Sequence, residues 1–188
     1  MKIALQTPRL SLRPFVGADQ GDLAELFADE AVRQHLAMAP MGRKGAAAFA
    51  DRFITAAREE WREGDCGALA LRLHEEGATA GSINGSVIGY CGLRLLPDRI
   101  SAVELLYALG QSHWGHGLAT EAAEAVLAWG FSNLGVREIL AFTRPDHTAS
   151  RRVMEKLGMI SGGETDRYYG ETLAQYSISR GRHKDLNN

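Results

Sequence analysis

The chain is short of cysteine, of charge of one sign and of long apolar runs, and each shortage removes a class of protein. Two cysteines among 188 residues, Cys66 and Cys91, cannot knit a disulfide scaffold. Both lie in apolar, strand-like runs (CGALALRL and VIGYCGLRL), which predicts buried free thiols in a reducing compartment. Lys and Arg number 21 against 23 Asp and Glu, a formal charge of −2, so the basic footprint of a nucleic-acid binder is missing. The longest stretch without charge, Gly77 to Leu93, is full of Gly, Ser, Thr and Asn and does not read as a membrane helix. The opening MKIALQTPRLSLRP has no apolar leader core and soon meets Arg9 and Arg13. A cytoplasmic location is the expectation. With no repeat, linker or low-complexity tract, residues 1–188 read as one domain, long enough to bury a core unaided.

The elements that are present alternate. RLSLRPF reads as a half-buried strand from Leu10 to Pro14, followed by a short helix capped by Asp19 with Leu23, Leu26 and Phe27 on one face. A longer helix is expected from Gly45 to Trp61, ended by Glu63–Gly64. Strands follow at Ala68–Leu73, Ser86–Leu96 and Ser101–Leu109, with a Gly-rich loop between the first two and a turn at Pro97–Asp98. Leu118, Ala122, Ala125, Val126 and Trp129 recur at helical spacing, so a helix runs to Asn133 and stops at Gly135. A strand at Arg137–Thr143, a helix at Thr148–Gly158 and strands near Met159–Glu164 and Thr172–Ser179 complete one mixed α/β domain.

One junction carries chemistry. In LLYALGQSHWGHGLATEAAEAVLAWGF an apolar strand runs into a short turn, and a helix opens behind Gly115 and Gly117. The first amides of a helix lack intrahelical acceptors, and with the helix dipole they favour an anion such as phosphate. Glycine at 115 and 117 lets the backbone turn and a ligand approach. The plainer reading, two glycines that only shape the turn, stays open beside the anion cradle. Other readings find less support. A dinucleotide site would want a third glycine where Thr120 stands, and no GK[ST] closes a Walker loop. His113 and His116 sit in the turn, without HExxH or a cysteine pair to complete a metal site. No metal is expected.

The junction also resembles motif A of the GNAT superfamily of acetyl-CoA-dependent N-acetyltransferases, in particular its RimJ/RimL-like branch. That branch has E-[IL]-x-Y-x-L and then W-G-x-G-x-A-T-E-A, where this chain has ELLYAL and WGHGLATEA. TPRLSLRPF is similar to the branch's opening strand, and ASRRVMEKLGM to its last motif. The resemblance implies a single GNAT domain with a central, twisted, mostly antiparallel sheet, splayed at the cofactor site and flanked by helices. It implies transfer of acetyl from acetyl-CoA to a primary amine by direct attack in a ternary complex. The acceptor would be a protein N-terminus, as in ribosomal-protein modification, or a small amine. Homodimers are common in the family, so a dimer is an expectation.

Carried over residue by residue, the resemblance seats the coenzyme A pyrophosphate on Trp114, Gly115, His116, Gly117, Leu118 and Ala119, with the Thr120 hydroxyl as a further donor. The pantetheine arm would pair with the backbone of Tyr107 and Leu109, and the Leu109 N–H, or a neighbour, would polarise the thioester carbonyl. Glu104 matches the branch's glutamate and is the candidate base, acting through water; a structural carboxylate is the alternative. Ser150 fits the pattern of a cofactor-binding residue. Two departures stand out. His147 replaces an asparagine that commonly bonds the cofactor, and Met154 stands where many members carry a tyrosine that protonates the leaving thiolate. Tyr107, Ser150 or a water would then supply that proton, or the thiolate would leave unassisted. The same departures keep open a second reading, a non-catalytic acyl-CoA-binding sensor or partner protein. Arg151, Arg152 and Lys156 are candidates for the phosphates or a solvated helix face. The acceptor is expected over the elements between Asp19 and Trp61 and the loop from His74 to Ser86. Trp61, Glu59, Glu60 and Glu63 read as a solvated helix end more than as an acceptor pocket.

Overall fold

The structure, a computed structural model, describes residues 3–36, 41–74, 85–96 and 102–186. Strands β1 (Leu5–Gln6), β2 (Leu10–Arg13), β3 (Ala68–Leu73), β4 (Gly89–Leu95), β5 (Ala102–Leu109), β6 (Glu138–Thr143), β7 (Ile160–Thr165) and β8 (Leu173–Ser179) form an eight-stranded sheet. Its order is β1-β2-β3-β4-β5-β6-β8-β7, antiparallel throughout except where β5 meets β6. The helices are α1 (Gln20–Ala28), α2 (Glu30–Arg33), α3 (Arg43–Gly64), α4 (Leu118–Asn133), α5 (Thr148–Lys156) and α6 (Arg180–Leu186).

Alternation along the central strands gives the sheet two apolar faces. Leu69, Leu71, Cys91, Leu93, Val103 and Leu105 point to α4, which buries Ala122, Ala123, Val126 and Leu127 against them. Ala68, Ala70, Tyr90 and Ala108 point the other way, under Leu23 and Phe27 of α1 and Ala46, Ala50 and Ile54 of α3. This removal of apolar surface from water drives the docking of both helical layers. Both cysteines are free and buried, as their apolar runs predict. Burial pushes the Cys66 thiol up to about 11, and Cys91 is raised as well.

Several expectations change. Asp19 does not cap α1 with its side chain. It is fully buried and accepts from Arg13 at 2.7 Å, Arg72 at 2.9 Å and the Val16 amide at 2.8 Å. The two guanidiniums, from β2 and β3, claim the carboxylate that a lone helix end would have used. Helix α3 runs from Arg43 through Gly64, and Asp65 takes the left-handed position after it (φ 53°), not Gly64. Strand β4 starts at Gly89, three residues after its expected start, and β1, α2 and α6 are too short to show in the sequence pattern. The loop residues 75–84, the turn at Pro97–Asp98 and Ser101 lie outside the described residues. Among those described, no helix is long and apolar enough to cross a membrane.

Candidate active site

The site begins where β5 loses one neighbour. β5 pairs with β6 through Ala102↔Glu138, Val103↔Ile139 and Glu104↔Leu140, and no further. On its other edge it stays paired with β4 as far as Leu109↔Gly89. From Leu105 onward the sheet is therefore splayed, with one edge of β5 free of β6. A cleft of about 770 Å³ follows this gap from Glu104 to the start of α4. It carries strand-edge backbone, polar side chains and an aromatic wall.

At its outer end the chain turns through a short 3-10 segment, Gln111–His113, into the two glycines. Gly115 and Gly117 have φ of 80° and 76°, a region that costs a side-chain-bearing residue about 1–2 kcal/mol. A Cβ on Gly115 would meet nothing within 4 Å, so the space in front of the turn is open. Among the described residues, no amide from Gly115 to Thr120 has an acceptor within the chain; the first bonded one is Glu121, to the Gly117 carbonyl. Trp114 differs from this group. Its amide donates to the Gln111 carbonyl at 3.1 Å, and its indole donates to the Leu109 carbonyl at 2.7 Å. Trp114 thus closes the end of β5 with both its donors while lining the cleft beside the two glycines.

The turn is braced from the N-terminal strand. Arg9 donates to the His116 carbonyl at 2.8 Å and to Glu121 at 2.6 Å. Glu121 also accepts from the Arg9 amide at 2.9 Å and the Thr7 hydroxyl at 2.6 Å. The TPRL and ATEA segments, far apart in sequence, therefore hold one carboxylate between them. His116 is exposed and does not line the cleft.

At the inner end lies Glu104, 6% exposed. Burial pushes its carboxyl above the ordinary range, against a hydrogen bond from the Tyr169 hydroxyl and the charge of Arg94, which both pull it down. Arg94 itself is bonded to Glu60 at 2.8 Å. Tyr169 holds a left-handed backbone (φ 65°) while its ring reaches the cleft. A carboxyl held in this state exchanges protons closer to neutral pH than an exposed one.

Between these ends the Tyr107 hydroxyl lies 2.8 Å from Ser150 Oγ and donates to the Ser150 carbonyl at 3.2 Å. Both residues line the cleft, whereas Met154 is buried in the core under α4. His147 stacks on His35 with ring centres 3.7 Å apart, and Thr143 Oγ1 lies 3.3 Å from its Nδ1. Burial and the neighbouring His35 lower His147 to about 4, so its ring is neutral at physiological pH.

The cleft thus gathers Glu104, Tyr107, Leu109, Trp114, Gly115, Gly117, Leu118, Ala119, Thr120, His147 and Ser150, leaving His116 outside. Arg152 and Lys156 line it, while Arg151 turns to Tyr176 and Pro145. Trp61 is core, donating to the Ala68 carbonyl and packing on Trp129, and Glu63 pairs with Arg62 at the surface. Sequence reasoning missed Tyr169, Arg94, Arg9, Glu121 and His35 as members of the site. Only Arg9 and Glu121 carried a signal, since both stand inside motifs already singled out.

The sequence profile of the acetyltransferase (GNAT) domain matches residues 9–160. The chain is 26% identical to the uncharacterized N-acetyltransferase p20 of Bacillus licheniformis over 97% of its own length and 92% of that protein's. An acetyltransferase structure from Agrobacterium tumefaciens superposes with a TM-score of 0.74 at 26% identity, covering 94% of each chain. The structure of ribosomal-protein-S5-alanine acetyltransferase from Vibrio fischeri shares the fold, with a TM-score of 0.71 at 17% identity over 95% of this chain and 97% of that one.

Proposed function

The chain belongs to the GNAT acetyltransferases, and on that footing we propose that it moves acetyl from acetyl-CoA to a primary amine by direct attack in a ternary complex. The observation that carries this reading is the row of unbonded amides from Gly115 to Thr120 at the N-terminus of the 16-residue helix α4, facing open space. Such a row suits a pyrophosphate. Bound acetyl-CoA would supply the thioester carbonyl that is attacked and the thiolate that leaves. Gly115, His116, Gly117, Leu118, Ala119 and Thr120 hold the phosphates, and the free edge of β5 at Tyr107 and Leu109 receives the pantetheine arm as an added strand. The Leu109 amide, or a neighbour, donates to the carbonyl oxygen as negative charge gathers there. His147 and Ser150 flank the arm on the other side.

Glu104 removes a proton from the ammonium through water, and the freed nitrogen lone pair forms the N–C bond. As the C–S bond breaks, its electron pair goes to sulfur, the hydroxyl pair of Tyr107 and Ser150 gives a proton to it, and the second proton that the nitrogen loses on becoming an amide restores that pair. That pair answers the missing tyrosine at Met154. The acceptor is a protein N-terminus or a small amine; the Vibrio fischeri structure is named for an alanine of ribosomal protein S5. A thiol-release assay with acetyl-CoA and a panel of amines and peptides is expected to show turnover. Binding of coenzyme A without turnover on every acceptor would overturn the reading in favour of a sensor. Gly115→Val, which fills the open cradle, is expected to weaken coenzyme A by at least about tenfold by calorimetry while the circular dichroism stays native.

A further inference from the structure

From the walls of the cleft on the α1–α3 face we infer the chemistry of the acceptor: a primary amine carried on a large apolar group, aromatic or branched aliphatic. The inference rests on the acetyl-transfer reading above. The strand pairing sets Tyr90 beside Ala108 and Arg94 beside Glu104, with Leu106 between them on β5. Leu106, Tyr90 and Ala108 share the apolar cluster under α1 and α3. Phe49 and Phe53 of α3 and Leu36 after α2 are half-buried and line the cleft over that face. Phe53 lies 4.7 Å from the Tyr90 ring and Phe49 4.7 Å from Phe27, so the wall is a continuous aromatic surface. It leads to a polar end where the Glu104 carboxyl meets the Tyr169 hydroxyl and the Glu60-paired Arg94, at the point where the sheet begins to splay.

The charges decide what that chamber accepts. Among the described residues three carboxylates line the cleft, Glu104, Asp146 and Glu171. Arg144 faces two of them, Asp146 at 3.3 Å and Glu171 at 3.9 Å. Glu104 is bonded by a phenol, and the nearby Arg94 is taken up by Glu60. The Arg144 guanidinium does not neutralise both of its carboxylates, but the Asp146 and Glu171 side chains are 73% and 28% exposed. Glu104 is 6% exposed and shares its face of the sheet with Tyr90 and Leu106, so it is the carboxylate an ammonium meets beside the apolar wall. A second ammonium, or the hydroxyls of a sugar, would be stripped of water against Phe49, Phe53 and Leu36 without partners, which is costly. A ring or branched chain there buries its own apolar surface instead.

Steady-state kinetics with saturating acetyl-CoA test this. 2-Phenylethylamine and a short peptide with N-terminal Leu are the apolar arms, one for a small-molecule source and one for a peptide source. 1,4-Diaminobutane, an aminoglycoside and a peptide with N-terminal Ser are the polar arms. At least one apolar arm is expected to exceed every polar arm in kcat/KM by about tenfold or more. A polar arm that equals or exceeds both apolar arms overturns the inference and leaves acetyl transfer standing. No turnover on any arm, with coenzyme A bound, overturns the inference together with the reading beneath it. Phe53→Ser gives a second measure: KM for the better apolar amine is expected to rise about tenfold while coenzyme A affinity, which also reports an intact fold, is unchanged. An unchanged KM in that folded variant also overturns the inference.

Discussion

Two buried carboxylates lie on the same side of the sheet and are tuned in opposite directions. Asp19 is sealed from water, and although burial pushes its carboxyl up, donors from Arg13, the Val16 amide and Arg72 outweigh it and hold it below the ordinary range. Glu104 is almost as deeply buried, but one phenol and one already-paired guanidinium do not offset the loss of water, and its carboxyl rises. The first is locked in one charge state and ties β2 to β3. The second is poised to change state and opens on the cleft. Burial alone does not set the direction in which a carboxyl is shifted; the number of donors it is given does.

The largest expected effect tests the structural member. Asp19→Asn leaves two guanidiniums facing an amide and is expected to cost about 3–5 kcal/mol by chemical denaturation at neutral pH. Because Asp19 is lowered in the fold, its stabilisation is present above the ordinary aspartate range and is lost as pH falls through its folded value. Wild type and variant are thus expected to converge in acid, and a gap that persists there would break the assignment. Glu104 has the opposite sign. A raised carboxyl favours the protonated fold, so its charge costs stability as pH rises past the ordinary glutamate range. Glu104→Gln is expected to lower kcat by about 100-fold or more with stability unchanged or improved. A variant that loses stability and keeps its rate would make Glu104 a second Asp19.

Smaller effects sharpen the contrast at its edges. Arg9→Ala removes the brace from the His116 carbonyl, and the KM for acetyl-CoA is expected to rise about fivefold, the worth of one exposed polar contact, with amine KM unmoved. Tyr169→Phe deletes a bond that pulls Glu104 down, so the acidic limb of kcat is expected to move to higher pH; an unmoved limb would detach Tyr169 from the base.

How far the sequence reaches depends on how local the cause is. β3 and α4 match their expected spans because alternation and helical spacing are written in consecutive residues. The strand, two glycines and helix start are likewise contiguous, which is why the cradle is legible. Asp19 was misread because a capping aspartate and an ion-pair aspartate look alike until Arg72, 53 residues away, comes into reach. Tyr169 was invisible for the same reason, being 65 residues from Glu104 with nothing periodic around it. Helix α2, a single turn, carries His35 to His147 without any pattern to announce it.

Composition and short-range order were enough for the α/β class, the free thiols, the family resemblance and the glycine turn, since each rests on residues within a few positions of one another. The proton chemistry was not, because a carboxyl's state is set by the donors around it, and those arrive from distant strands only when the sheet closes. The same holds for the aromatic wall: Phe49 and Phe53 are core spacing in the sequence, and become a face of the cleft only where β5 parts from β6.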